Sequence, residues 1–145
     1  MTKTIRITTE AIDEAALASI RQASHAVGAV ITFQGLVRGA EGLSQIAGID
    51  YEAFEPMAQH QFQKILAEIE IRWPIESVRL VHRIGFVATN EPSLWVEVAS
   101  GHRGEAFAAC QYLIDQMKLR VPIWKRPIDS AIPAESLAQP AQTQE

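Results

Sequence analysis

Four cations stand within ten residues near the C-terminus. The stretch KLRVPIWKRP, residues 118–127, holds Lys118, Arg120, Lys125 and Arg126 and no acid. The remainder of the chain is acidic. All 145 residues together carry a formal charge of −4, with 13 Lys and Arg against 17 Asp and Glu. A small basic cluster in an acidic protein fits a local site for an anion. It argues against nucleic-acid binding, which calls for a broad basic face. A lysine taken out of water can also move protons or act as a nucleophile, whereas one at a helix end can simply snorkel into solvent.

Three further groups have the types for the same chemistry. Ser100-Gly101-His102-Arg103 precedes a helical pattern, and free N–H groups at a helix start bind phosphate. A plain Ser100 cap accounts equally well for that order of residues. Arg38 ends an apolar strand and opens a small-residue loop, where a guanidinium can clamp an anion. His82 and Arg83 end another strand before Gly85, and a packed histidine is the competing reading there. Cys110 falls on the apolar face of the last helix and reads as core. As the single cysteine it forms no internal disulfide and offers no metal-ligand spacing. His25 and His60 read as solvent-side helix residues. No Ser-His-Asp, phosphate-loop, dinucleotide or zinc pattern is present.

The elements that must position these groups follow from periodicity. KTIRIT, 3–8, reads as a short strand, and Thr9 to Ser24 as an amphipathic helix capped by Thr9. GAVITFQGLV, 28–37, is β-branched and apolar, a central strand. RGAEGLSQ, 38–45, reads as a mobile loop, and IAGIDYEAF, 46–54, as the next strand. Pro56 opens a helix whose Ala58, Phe62, Ile65, Leu66, Ile69 and Trp73 share one face, and Pro74 ends it. SVRLVHRIG, 77–85, and LWVEVAS, 94–100, are strands split by the turn-like ATNEPS. Residues 101–120 form the last helix, stopped by Pro122. At 100° per residue, Lys118 falls about 20° from Phe107, beside the face expected to be buried. After it the chain is extended, with Trp124 expected on the core and Lys125 reaching the other way. The order β-α-β-β-α-β-β-α makes an α+β (mixed α/β) domain over residues 1–135, with a weakly ordered tail at 136–145. No apolar run is long enough to span a membrane and no signal peptide is evident, so a cytoplasmic protein without a metal is expected.

The stretches ITFQGLVRG (31–39), YEAFEPMA (51–58), VHRIG (81–85), SGHRGEAFAACQYLIDQMK (100–118) and VPIWKRP (121–127) occur in an order and spacing that resembles the MoaE family. Its members are catalytic (large) subunits of molybdopterin synthase. The resemblance covers roughly residues 28–127. It implies an α/β hammerhead-type fold with an added antiparallel β subdomain, and a homodimer within a heterotetramer. The partner it implies is a small ubiquitin-like sulfur-carrier subunit whose C-terminal Gly-Gly ends in a thiocarboxylate. The reaction it implies is sulfurtransfer from that carrier to cyclic pyranopterin monophosphate, which makes the molybdopterin dithiolene of molybdenum cofactor biosynthesis. No metal and no cofactor takes part.

By the same resemblance, Leu36, Val37 and Arg38 contact substrate, and His102 and Arg103 bind its anionic group. Lys118 is the lysine most directly tied to catalysis, near the carrier's tail. Lys125 is the second active-site lysine, with Arg126 and Pro127 after it in the substrate-binding run. The chain departs from the family at Pro127, where an acid is usual, and in TNEP, which keeps only the Glu of a Gly-Glu pair. A Trp common in the family's C-terminal segment is also absent. The alternatives are a non-catalytic member that holds the carrier or a pterin phosphate without turnover, and an unrelated anion- or RNA-binding domain.

Overall fold

The computed structural model describes residues 1–42 and 44–130. Two sheets meet at one edge. The first has the order β1-β5-β7-β2, built from β1 (Thr2–Thr8), β2 (Ala29–Leu36), β5 (Ile75–Arg83) and β7 (Pro92–Ser100). β1 runs parallel to β5, and the other pairings are antiparallel. The second sheet is antiparallel throughout. Its long strand β4 (Ser44–Ala53) pairs with β3 (Ala40–Glu41), β6 (Gly85–Ala88) and β8 (Ile123–Asp129). This matches the expected α+β class with an added antiparallel subdomain.

α2 (Glu55–Arg72) and α3 (Arg103–Arg120) pack side by side on one face of the first sheet. The apolar stripe of α2 is buried as its spacing predicts: Ala58, Phe62, Ile65, Leu66 and Ile69 are fully covered. They meet Val78, Leu80, Val96 and Val98 from alternate positions of β5 and β7. Truncating one of these large side chains costs about 2–5 kcal/mol, because the hole does not collapse. The opposite face of the same strands carries Arg79, Trp95 and Glu97. α1 (Glu14–Ser19) and the chain after it cover that face, where the Leu17 carbonyl accepts from Arg79 at 2.8 Å.

Several expectations are corrected. The helix expected over Thr9 to Ser24 is only α1, and its cap is Asp13, whose carboxylate accepts from the Ala16 N–H at 3.1 Å. Beyond Ile20, which is exposed, side chains bind to the two inner strands of the first sheet, Arg21 on Glu97 of β7 and Ser24 on Glu76 of β5. Those bonds win over the helical pattern of Ile12, Ala16, Ile20 and Ala23. His25 is therefore exposed in a loop, not on a helix, while His60 is exposed on α2 as expected. The loop 38–45 contains the β3–β4 hairpin. β6 was not expected. Gly85, at φ 85°, breaks the strand after Arg83 so that the next four residues join the other sheet. β8 was read only as extended chain, yet it pairs along β4 as far as Asp129. The boundary at 135/136 and the tail 136–145 lie outside the described residues.

Candidate functional site

α3 begins where two strands converge. Gly28 donates to the Ser100 carbonyl at 3.0 Å, and a Cβ on Gly28 would stand 2.4 Å from the Gly101 carbonyl oxygen. Only glycine allows this approach. Ser100 is not the cap. It is buried in β7 and its hydroxyl donates to the His102 carbonyl at 2.6 Å, while His102 occupies the cap position without a capping side-chain bond. His102 is left almost wholly exposed, its Nδ1 3.7 Å from a Glu105 carboxylate oxygen, and Arg103 is exposed beside it.

From this start α3 turns back over the sheet, packing on β7 and β2, and buries Ala106, Ala109, Cys110, Leu113 and Met117. Phe107 is 57% exposed, so it marks the flank of the helix and not its buried centre. Lys118, on the same flank, is exposed. Burial pushes the Cys110 thiol up to about 11, which suits an inert core residue. Arg120 holds α3 to α2. Both Glu68 oxygens accept from its guanidinium at 2.8 Å, and Tyr112 donates to one of them at 2.6 Å. Arg120 first, then Tyr112, hold the Glu68 carboxyl down at about 2.

The last turn of α3 lies at the end of the sheet where β2 finishes with Leu36, Val37 and Arg38. Leu36 and Arg38 are exposed. Val37 is buried and pinned on both sides, its N–H on the Glu91 carbonyl at 3.0 Å and its carbonyl on the Asn90 N–H at 2.8 Å. Its side chain joins Ile46, Ile49 and Val87 in the small core of the second sheet. β8 follows α3 after two residues and sets Lys125 opposite Tyr51 of β4. The expected burial of Trp124 does not occur, and Lys125 is exposed as well. Trp124 is 57% exposed on the outer face, whereas Lys125 shares the face of Tyr51, which packs on that small core. Arg126 donates to Asp50 at 2.9 Å. Pro127 continues the pairing opposite Ile49, which proline allows on an edge strand.

His82 is a packed histidine. Its Nδ1 lies 2.8 Å from the Arg83 carbonyl, its ring is edge-on to Tyr51, and burial lowers its pKa despite that bond. Two residues that sequence reasoning passed over, Tyr51 and Ser93, also sit at this junction of the sheets. They are joined by a hydrogen bond between strands distant in sequence, for which no local signal exists.

The charges divide cleanly. Lys3, Arg6, Arg21, Arg79, Arg83, Arg120 and Arg126 each hold a carboxylate. Arg72 lies over the Tyr112 ring, 4.6 Å from its centroid. Among the described residues, the cations left without a carboxylate are Arg38, Lys64, Arg103, Lys118 and Lys125, together with Arg72. Arg38, Lys118 and Lys125 belong to one end of the molecule. Arg103 does not join them, because the sixteen residues from His102 to Lys118 span about 24 Å of helix.

The MoaE protein family matches residues 7–120. The chain is 42% identical over 101 residues to the molybdopterin synthase catalytic subunit of Thermoplasma volcanium, covering 70% of this chain and 74% of that one. It is 37% identical over 101 residues to the human molybdopterin synthase catalytic subunit, where the match covers 70% of this chain and about half of the relative, 54%. In three dimensions it is similar to molybdopterin synthase from Staphylococcus aureus, with a TM-score of 0.80 at 32% identity over 87% of this chain and 91% of the other. The chain therefore belongs to the MoaE family of molybdopterin synthase catalytic subunits, which are sulfur-transferring enzymes.

Proposed function

We propose that this chain passes sulfur from the C-terminal thiocarboxylate of a small ubiquitin-like carrier subunit to cyclic pyranopterin monophosphate, yielding the molybdopterin dithiolene. One observation carries the assignment to these residues. Arg38, Arg103, Lys118 and Lys125 are cations with no carboxylate to neutralise them among the described residues, and they are positions that the resemblance assigns to the site. Unpaired guanidinium and ammonium groups favour a phosphate and a thiocarboxylate as occupants.

The roles are those the resemblance implies, set on the placement described above. The carrier supplies the sulfur nucleophile, so the buried Cys110 has no part in transfer. Lys118, exposed on the flank of α3, meets the carrier's tail, stabilises the acyl-linked intermediate and relays protons. Lys125, on the Tyr51 face of β8, orients the anionic groups, with Pro127 next on that face, while Arg126 holds Asp50 on the opposite face and braces the strand between them. Leu36 and Arg38 contact substrate from the end of β2, and Val37 acts through the backbone it anchors. His102 and Arg103 hold the phosphate and favour its departure from carbon, since charge develops on the leaving oxygen. They stand a helix length from Lys118, so a second copy of the chain supplies them. That makes the homodimer, within a heterotetramer with two carriers, a requirement of the site. A cytoplasmic location belongs to the same proposal.

The test is anaerobic turnover with thiocarboxylated carrier and cyclic pyranopterin monophosphate, following molybdopterin through its fluorescent oxidation product. Product from the wild type and none from Lys118→Ala, with carrier binding kept, supports the reading. Carrier binding without product from either protein would establish the non-catalytic alternative.

A further inference from the structure

The end of β2 does not run straight into Arg38. Its pairing with β7 slips between Gly35, opposite Leu94, and Leu36, opposite Pro92, so that Ser93 is the extra residue of a β-bulge. Bulges bend a strand and redirect the side chains beyond it. Ser93 is buried, and its hydroxyl both accepts from the Tyr51 hydroxyl at 3.1 Å and points at the Gly35 carbonyl, 3.4 Å away. The Tyr51 ring is itself fixed. It stands edge-on to the buried His82, with centroids 5.3 Å apart, and packs on the Val37, Ile46, Ile49 and Val87 core. Across the strand from Tyr51 stands Lys125.

We infer that the Tyr51 hydroxyl, acting through Ser93, is a positioning group that holds the bulge and thereby aims Leu36 and Arg38 at the same space as Lys125. The inference rests on the proposed function for what Arg38 meets. The bridge links β4 to β7 and reaches the last residue before the bulge in β2. A half-buried ring held by His82 and the small core, with its one polar atom on a bulge, serves alignment of the two walls of the site. Bulk packing alone needs no hydroxyl.

Tyr51→Phe keeps the ring and removes only the oxygen. The expected result is an increase in KM for the pterin phosphate of about three- to tenfold, the worth of one hydrogen bond, with kcat and carrier affinity nearly unchanged. Ser93→Ala should reproduce it. In an Arg38→Ala background Tyr51→Phe should add little, because groups that act through one another are not additive. Amide exchange over residues 35–39 should quicken in both single variants, with or without turnover. An unchanged KM, or full additivity with Arg38→Ala, overturns the inference. If the wild type makes no product, the functional reading fails by itself and exchange decides: unaltered protection at 35–39 in Tyr51→Phe would refute the bridge.

Discussion

Two groups of cations beside a tryptophan behave in opposite ways in this molecule. On the α1 side of the first sheet, Arg79 lies over the Trp95 ring, 4.9 Å from its centroid, and closes on Glu97, as does Arg21. Burial pushes the Glu97 carboxyl up, but hydrogen bonds from Arg79 and Arg21 outweigh it and keep the carboxyl below its ordinary value. At the end of the sheet, Lys118 and Lys125 flank Trp124 in the chain and meet no carboxylate among the described residues. The first group is a closed circuit that ties α1 to the sheet. The second is uncompensated charge, which the proposed function assigns to anions from outside the chain. Residue type does not separate the two groups; compensation does.

Mutation should separate them by what is lost. Lys118→Ala should lower turnover by roughly a hundredfold or more, the worth of a positioned acid-base group, while leaving thermal unfolding nearly unmoved. Glu97→Ala should do the reverse. Its carboxylate is buried, and removing it strands the partly buried Arg79, so urea unfolding should show a loss of about 3–5 kcal/mol with activity per folded molecule kept. Equal losses of activity and stability in either variant would erase the distinction.

Smaller effects sharpen it. His82 is depressed in the fold, chiefly by burial, from 6.5. Its neutral form is the one the fold accepts, so its contribution is complete above the unfolded value. It is lost as pH falls below about 6.5, where only the unfolded chain takes up the proton. Unfolding midpoints measured from pH 8 to pH 5 should fall across that window, and His82→Gln should flatten this part of the profile. Lys64→Ala removes an unpaired cation on α2 that the site does not use. It should change unfolding free energy by no more than about 0.5 kcal/mol, with turnover intact. A loss of turnover there would show that unpaired charge alone does not mark the site.

Much of this was legible in the chain. α2 announces itself through Pro56, Pro74 and a clean apolar stripe, and all five residues of that stripe before Trp73 are buried. Cys110 as core followed from the same spacing. The resemblance carried by the HR pair and the PIWK run named the candidate residues on which the proposed function rests. What failed was long-range. The Thr9 to Ser24 pattern obeyed helical spacing but lost to Asp13 and to side-chain bonds with β7 and β5, which no local window contains. Helical spacing puts Phe107 and Lys118 together on the buried stripe or its edge and does not say which; Phe107 is 57% exposed, so both stand on the flank. β6 and β8 are short and depend on β4 for their hydrogen bonds, so their existence follows from pairing and not from pattern. The bulge at Ser93 and its bond to Tyr51 are of the same kind.

The strongest consequence of the proposed function follows from the separation of His102–Arg103 from Lys118: on that proposal one site draws on two copies of the chain. Mixing Lys118→Ala and Arg103→Ala chains, each inactive alone, tests it most directly through the turnover assay after co-refolding or co-expression. If the site is shared, random pairing of equal amounts leaves one intact site in each mixed dimer, and about a quarter of wild-type activity should return. If both groups serve a site within one chain, no pairing contains an intact site, and the mixture will stay as inactive as its parts.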